Sequence, residues 1–189
     1  MASVVGIWNS ALIKIGATVI MLGDGSKNAN ACNEQYPKVR DDLLRGHTWN
    51  FARALQKLAQ NSTAPTFGFD HAYQLPTDWL RTVTVHDNDA GVGNVRYRMT
   101  GRTIHSDASD IYLDYVRQVT DPNDMPSDFR EALAWMLAMD LVQSIAQSST
   151  QFKQLDKSAK LAVAKARSTD AIEDYPPDQA PSHWVTVRY

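Results

Sequence analysis

The 189-residue chain is 43% hydrophobic and 21% charged with a formal net charge of -2, ordinary for a globular protein of one domain or of one domain with an insertion. So small a net charge excludes a protein that holds nucleic acid by a bulk basic field, and the single cysteine, Cys32, excludes an internal disulfide. The longest early apolar run, 15–22, is far shorter than the about 20 residues of a membrane span, and no basic stretch opens the chain, so neither a signal peptide nor a membrane anchor is expected.

In chain order, Val5, Trp8, Leu12 and Ile15 recur at helical spacing and Gly16 is a natural stop, which predicts a first helix over 3–16. Gly23-Asp24-Gly25-Ser26 reads as a turn. Cys32, Tyr36, Val39 and Leu43 then share the face of a second helix ending near Gly46, with Pro37 predicting a kink or a late start. Cys32 on that face reads as a small core residue rather than a reactive thiol.

From Trp49 to about Val119 the period changes. Short alternating runs, 82–85, 95–99 and 111–116, predict strands of one small antiparallel sheet, with turns at 89–94 and 107–110. Residues 75–80 read as a short helical turn capped by Thr77 or Asp78.

The stretch 125–147 is the predicted centre. Ser127 is placed to cap it. Phe129, Leu133, Met136, Leu137, Leu141 and Ile145 form a helical stripe that Trp135, Ala138, Met139 and Val142 widen until little of the circumference is polar, so the helix is expected to be buried on most sides. Residues 148–150 break the pattern, and Phe152, Leu155, Ala159, Ala162, Val163 and Ala166 predict a fourth helix. Pro176, Pro177 and Pro181 forbid helix in the last segment, which ends in a strand-prone run with Trp184, Val185, Val187 and Tyr189. The expected fold is α+β: a four-helix bundle from residues 1–47 and 123–174, an inserted small antiparallel β-sheet region over 48–122, and an extended C-terminal arm over 175–189.

Motifs for chemistry are sparse. Gly23 to Lys27 lacks phosphate-loop spacing and follows a helix. The loop 87–91 suggests a calcium loop, yet Arg98 stands where the closing carboxylate belongs. His47, His71, His86, His105 and His183 show no helical pair and no Cys partner, which argues against zinc. No nucleophile elbow occurs, and no carboxylate spacing singles out an acid/base pair. No catalytic residue, metal or cofactor is expected.

The runs Trp8-Asn9-Ser10-Ala11-Leu12-Ile13-Lys14-Ile15-Gly16 and Tyr36-Pro37-Lys38-Val39-Arg40-Asp41-Asp42-Leu43-Leu44-Arg45-Gly46-His47-Thr48-Trp49-Asn50-Phe51-Ala52 are followed by Tyr73-Gln74-Leu75-Pro76-Thr77-Asp78-Trp79-Leu80 and Asp124-Met125-Pro126-Ser127-Asp128-Phe129. In order and spacing they resemble the head-to-tail adaptor proteins of short-tailed bacteriophages, called tail tubular protein A. The resemblance covers most of residues 8–147; the C-terminal tail does not align with it. It implies a structural virion protein at the head-tail junction, present in the host cytoplasm during assembly. It further implies a homo-oligomeric ring, usually dodecameric, joining the portal protein ring to the tail nozzle protein and lining a channel through which double-stranded DNA passes unread, with no membrane partner. Heterologous contacts between identical subunits would close such a ring.

Within that expectation, Trp184, Val185, Val187 and Tyr189 form a portal-docking arm that orders on a neighbour by strand addition or by seating Trp184 in a pocket. Arg96, Arg98 and Arg102, which fall in one hairpin, are candidate channel-facing basic residues and the basis of a third reading, a general nucleic-acid binder; a solvated strand face explains them at least as well. The alternative from another class is a small carbohydrate-active hydrolase of a phage tail acting on cell-envelope sugars, with paired carboxylates drawn from such residues as Asp70, Asp78, Asp107 and Asp110 around an exposed Trp79.

Overall fold

The structure, a computed structural model, describes residues 1–91, 95–145 and 149–173. They form four helices, α1 (Val4–Lys14), α2 (Lys27–Arg45), α3 (Ser127–Ile145) and α4 (Ser149–Glu173). Six strands complete the fold: β1 (Arg53–Lys57), β2 (His71–Gln74), β3 (Trp79–His86), β4 (Tyr97–Thr100), β5 (Thr103–Ser106) and β6 (Tyr112–Arg117). The class is α+β, with every strand between α2 and α3.

Local signals set the first helices. Ser3 caps α1 by accepting the Gly6 N–H at 3.0 Å. At its other end the Ala17 N–H reaches Leu12 O (2.9 Å) and the Gly16 N–H reaches Ile13 O (3.0 Å), a double closure that requires the left-handed backbone of Gly16, φ +71°. Asn9 pins the segment that follows, its side chain bonding both the N–H and the C=O of Ile20 at 2.8 and 2.9 Å. Ser26 caps α2 through the Ala29 N–H. The helix starts at Lys27 and runs through Pro37, so the late start expected from that proline does not occur.

α3 lies at the centre of the helical part, with α1, α2 and α4 each packed on it. Leu133, Leu137, Ala138, Leu141 and Val142 are fully buried, as the wide apolar stripe predicts. Lys14 of α1 bonds Glu131 at 2.9 Å and lies 4.6 Å above the Trp135 ring, which fastens α1 to α3. Ser127 is the first helical residue rather than the cap; the first turn closes from the Arg130 N–H to Pro126 O at 3.0 Å.

The β region holds two three-stranded antiparallel sheets, ordered β1-β6-β3 and β2-β5-β4, where the sequence suggested one. Their facing side chains, including Tyr73, Ile104, Val85, Leu113 and Tyr115, make a second core. Val116 and Val119 join the helical core instead, so β6 is sandwiched between helices on one face and the second sheet on the other. Leu113 and Tyr115 are buried by the second sheet, Val116 by the helices and Asp114 by the Arg53 and Thr84 side chains it bonds, which gives a run of four buried residues where a half-exposed strand would alternate.

β3 departs from simple alternation. Its register with β6 slips between Trp79 and Arg81 and again between Thr82 and Thr84. These bulges turn Leu80 and Val83 toward the helical core while Trp79 and Val85 face the second sheet. The short helical turn expected over 75–80 is a single turn between β2 and β3, closed by the Trp79 N–H on Pro76 O at 3.2 Å, and the strand begins at Trp79. The polypeptide after Pro76 is held by pairing with β6 before a helix could extend.

Helices and first sheet meet at Trp49, which is buried and donates its indole N–H to Leu43 O at 2.9 Å. Its ring meets Phe129 edge-on at 5.0 Å and Phe51 lies 4.9 Å from the same Phe129, as expected for the passage from α2 into the sheet. Among the described residues no helix is long and apolar enough to cross a membrane.

Candidate functional site

A cluster of charged side chains surrounds a hollow on the first sheet. Tyr112, Asp114 and Val116 alternate on the face of β6 turned away from the second sheet. The helices cover the Val116 end, leaving the rest of that face open as a cleft of about 500 Å³. Asp114 is 2% exposed and is held from both neighbouring strands. Arg53 of β1 donates Nε–H to both carboxylate oxygens at 3.0 Å and Nη2–H to Oδ2 at 2.5 Å, while Thr84 of β3 donates to Oδ2 at 3.5 Å. His86 Nε2 lies 3.0 Å from the Thr84 hydroxyl.

At the outer rim Lys57 pairs with Asp110 at 2.9 Å and lies 5.4 Å above the Tyr112 ring. The cleft offers two ion pairs, Arg53 with Asp114 and Lys57 with Asp110, beside an apolar wall of Leu55 and Tyr112. Sequence reasoning did not single out Arg53, Thr84 or Asp114. The one available signal was an aspartate inside an otherwise apolar strand run, which demands a buried partner.

The carboxylates considered for sugar chemistry are dispersed. Asp78 follows the C-terminal end of β2 and accepts the Tyr115 hydroxyl at 3.1 Å. Burial first, then the charge of Asp78 and its hydrogen bond, push the Tyr115 phenol up to about 12. Asp70 and Asp107 meet at the opposite end of β2, where the Asp70 N–H donates to Asp107 Oδ1 at 3.1 Å, and Asp110 is engaged by Lys57. Trp79 is half-buried with its indole N–H on Thr82 Oγ1 at 3.1 Å. Asp70 and Asp107 thus lie together, while Asp78 and Asp110 are each engaged elsewhere. No group of three or more His, Cys, Asp or Glu among the described residues could hold a metal ion.

The three arginines also diverge. Arg98 is exposed on β4 opposite His105 of β5. Arg96 lies 5.2 Å over the Phe69 ring. Arg102, in the β4–β5 turn, donates to Pro76 O and, at 3.3 Å, to Thr77 O, so it braces the turn between β2 and β3 instead of facing a ligand. Trp184, Val185, Val187 and Tyr189 lie outside the described residues.

Apolar side chains are left uncovered on unlike parts of the surface. Met21 and Leu22, the latter 89% exposed, stand on the loop between α1 and α2, and Leu161 and Ile172, the latter 80% exposed, on α4. No known protein family matches the sequence, and no curated protein matches it.

Proposed function

We propose that the chain is a structural head-to-tail adaptor of a short-tailed bacteriophage. In this reading its copies form a ring that joins the portal protein ring to the tail nozzle protein and lines the channel for double-stranded DNA. The observation that carries the reading is the pair of uncovered apolar areas on unlike elements, the α1–α2 loop with Met21 and Leu22 and the outer face of α4 with Leu161 and Ile172. A ring closed by rotation needs two different surfaces that meet between neighbours. Exposed Met21 and Leu22 on one element and Leu161 and Ile172 on another are compatible with two such surfaces.

The sequence resemblance supports the same reading. In it, α1 to α4 correspond to the family's four-helix bundle, the two sheets to its inserted β region, and residues 175–189 to a portal-docking arm. The segments that carry the resemblance supply structural parts: Trp8 and Tyr36 meet edge-on at 6.1 Å, Trp49 joins helices to sheet, and Asp78 ties the β2–β3 turn to Tyr115. Arg98 is the one arginine of the three whose position leaves it suited to a DNA channel.

Co-sedimentation with purified portal rings tests the proposal. The full chain should travel with the rings, and Leu22→Asp and Ile172→Asp should each leave the fold intact while reducing the number of copies retained. Full retention of both variants would remove the two-surface argument.

A further inference from the structure

The loop between α1 and α2 is held as a fixed projection. Asn9 bonds both main-chain groups of Ile20, Asn28 Nδ2–H donates to Thr18 O at 3.1 Å, and the Asp24 N–H closes a turn onto Met21 O at 3.2 Å. Met21 and Leu22 stand on that turn, almost wholly exposed. A backbone already held in place loses little conformational entropy when a partner covers it, so these two side chains make a preorganised apolar knob.

A hollow at the far end of α2 matches the knob in shape and charge. Leu43 of α2, Met136 of α3 and Val163 of α4 line a recess of about 360 Å³, where the small residues Gly46 and Ala164 leave room. Arg167 donates Nη2–H to Gly46 O at 3.2 Å and fastens α4 to the end of α2 beside it. The charges around the recess differ by side: Lys160 and Arg167 belong to α4, Asp42 to α2. Asp140 of α3 lies close to Asp42, its carboxyl pushed up by burial and then by the Asp42 charge. An approaching cation would relieve that repulsion. The knob is followed in the chain by Asp24 and Lys27, one charge of each sign.

Knob and recess cannot meet within one molecule. Leu22 precedes α2 and Leu43 is in its last turn, and the 19 residues of that helix, at about 1.5 Å each, hold its ends about 28 Å apart. We infer that the Met21–Leu22 knob of one copy seats in the α2–α3–α4 recess of a second copy, with Asp24 toward Lys160 and Arg167 and Lys27 toward Asp42 and Asp140. Apolar burial supplies the attraction, and the two charge matches fix the orientation. The first copy keeps its recess and the second its knob, so the contact is heterologous and repeats head to tail. The inference rests on the head-to-tail contact of the proposed ring and names the surface that receives the loop.

Thiol cross-linking of the full-length double variant Gly25→Cys/Ala164→Cys, in concentrated solution and with purified portal rings, tests it. Both sites accept the change: a Cβ at Gly25 meets nothing within 4 Å and Ala164 is exposed, while the native Cys32 is buried. A bismaleimide too short to span α2 should join copies into a ladder of dimers, trimers and longer chains, and adding Leu22→Asp should abolish the ladder. No ladder under either condition, or one that survives Leu22→Asp, would overturn the inference. Portal rings that retain the double variant without a ladder would refute this contact and leave the adaptor reading standing; a ladder without retention by the rings would uphold the contact and count against the adaptor reading.

Discussion

Tyr115 and Asp78 show how a residue that invites a catalytic reading can be spent on structure. Because burial and the Asp78 carboxylate raise the phenol to about 12, the unfolded chain loses this proton at a lower pH than the folded one. The contribution of Tyr115 to stability is complete below about pH 10, the ordinary tyrosine value, and declines as pH rises from there to about 12. Asp78→Asn should move the phenol back toward, but not to, its ordinary value, since burial is the larger cause; phenolate absorbance in an alkaline titration reads it. An unchanged titration would show that Asp78 does not govern this group. Asp114 was hidden for a related reason: its partner Arg53 lies 61 positions earlier, and no local pattern announces a pair made by strand register. Asp114→Ala should cost about 1–3 kcal/mol in chemical denaturation, limited because the half-exposed Arg53 can turn to water.

At the level of elements, the helices were legible because each carries its own periodic stripe and stop signals. α3 was read most completely, since its apolar residues cover the circumference and all of Leu133, Leu137 and Leu141 are fully buried. Leu137→Ala should therefore destabilise by about 2–5 kcal/mol; a loss below about 1 kcal/mol would contradict the central place of this helix. β1 was not legible. Its sequence, Arg-Ala-Leu-Gln-Lys, contains only good helix formers, and it is a strand because β6 pairs with it, a tertiary choice over a local one. The bulges of β3 were invisible for the same reason: Val83 and Val85 look like one face of a strand, and only the need to fill two cores separates them.

At the scale of the molecule, the insertion of all strands between α2 and α3 could be read from the change of period, whereas the division into two sheets could not, because it depends on which strand pairs with which. Trp49 tests the joint between helical and β parts: buried against Phe129, it should fluoresce as an indole shielded from water, and a fully solvated spectrum, assigned by Trp49→Phe, would place it elsewhere. The uncovered apolar areas are modest and separated, and a net charge of -2 gives copies no strong mutual attraction, so in the proposed adaptor reading the isolated chain is expected to be largely monomeric and to be ordered into a ring by the portal's symmetry. Native mass spectrometry of the full-length chain, alone and mixed with portal rings, measures this directly. The adaptor account predicts monomers alone and portal rings carrying a complete circle of copies; portal rings that bind no copies at any protein concentration would contradict it.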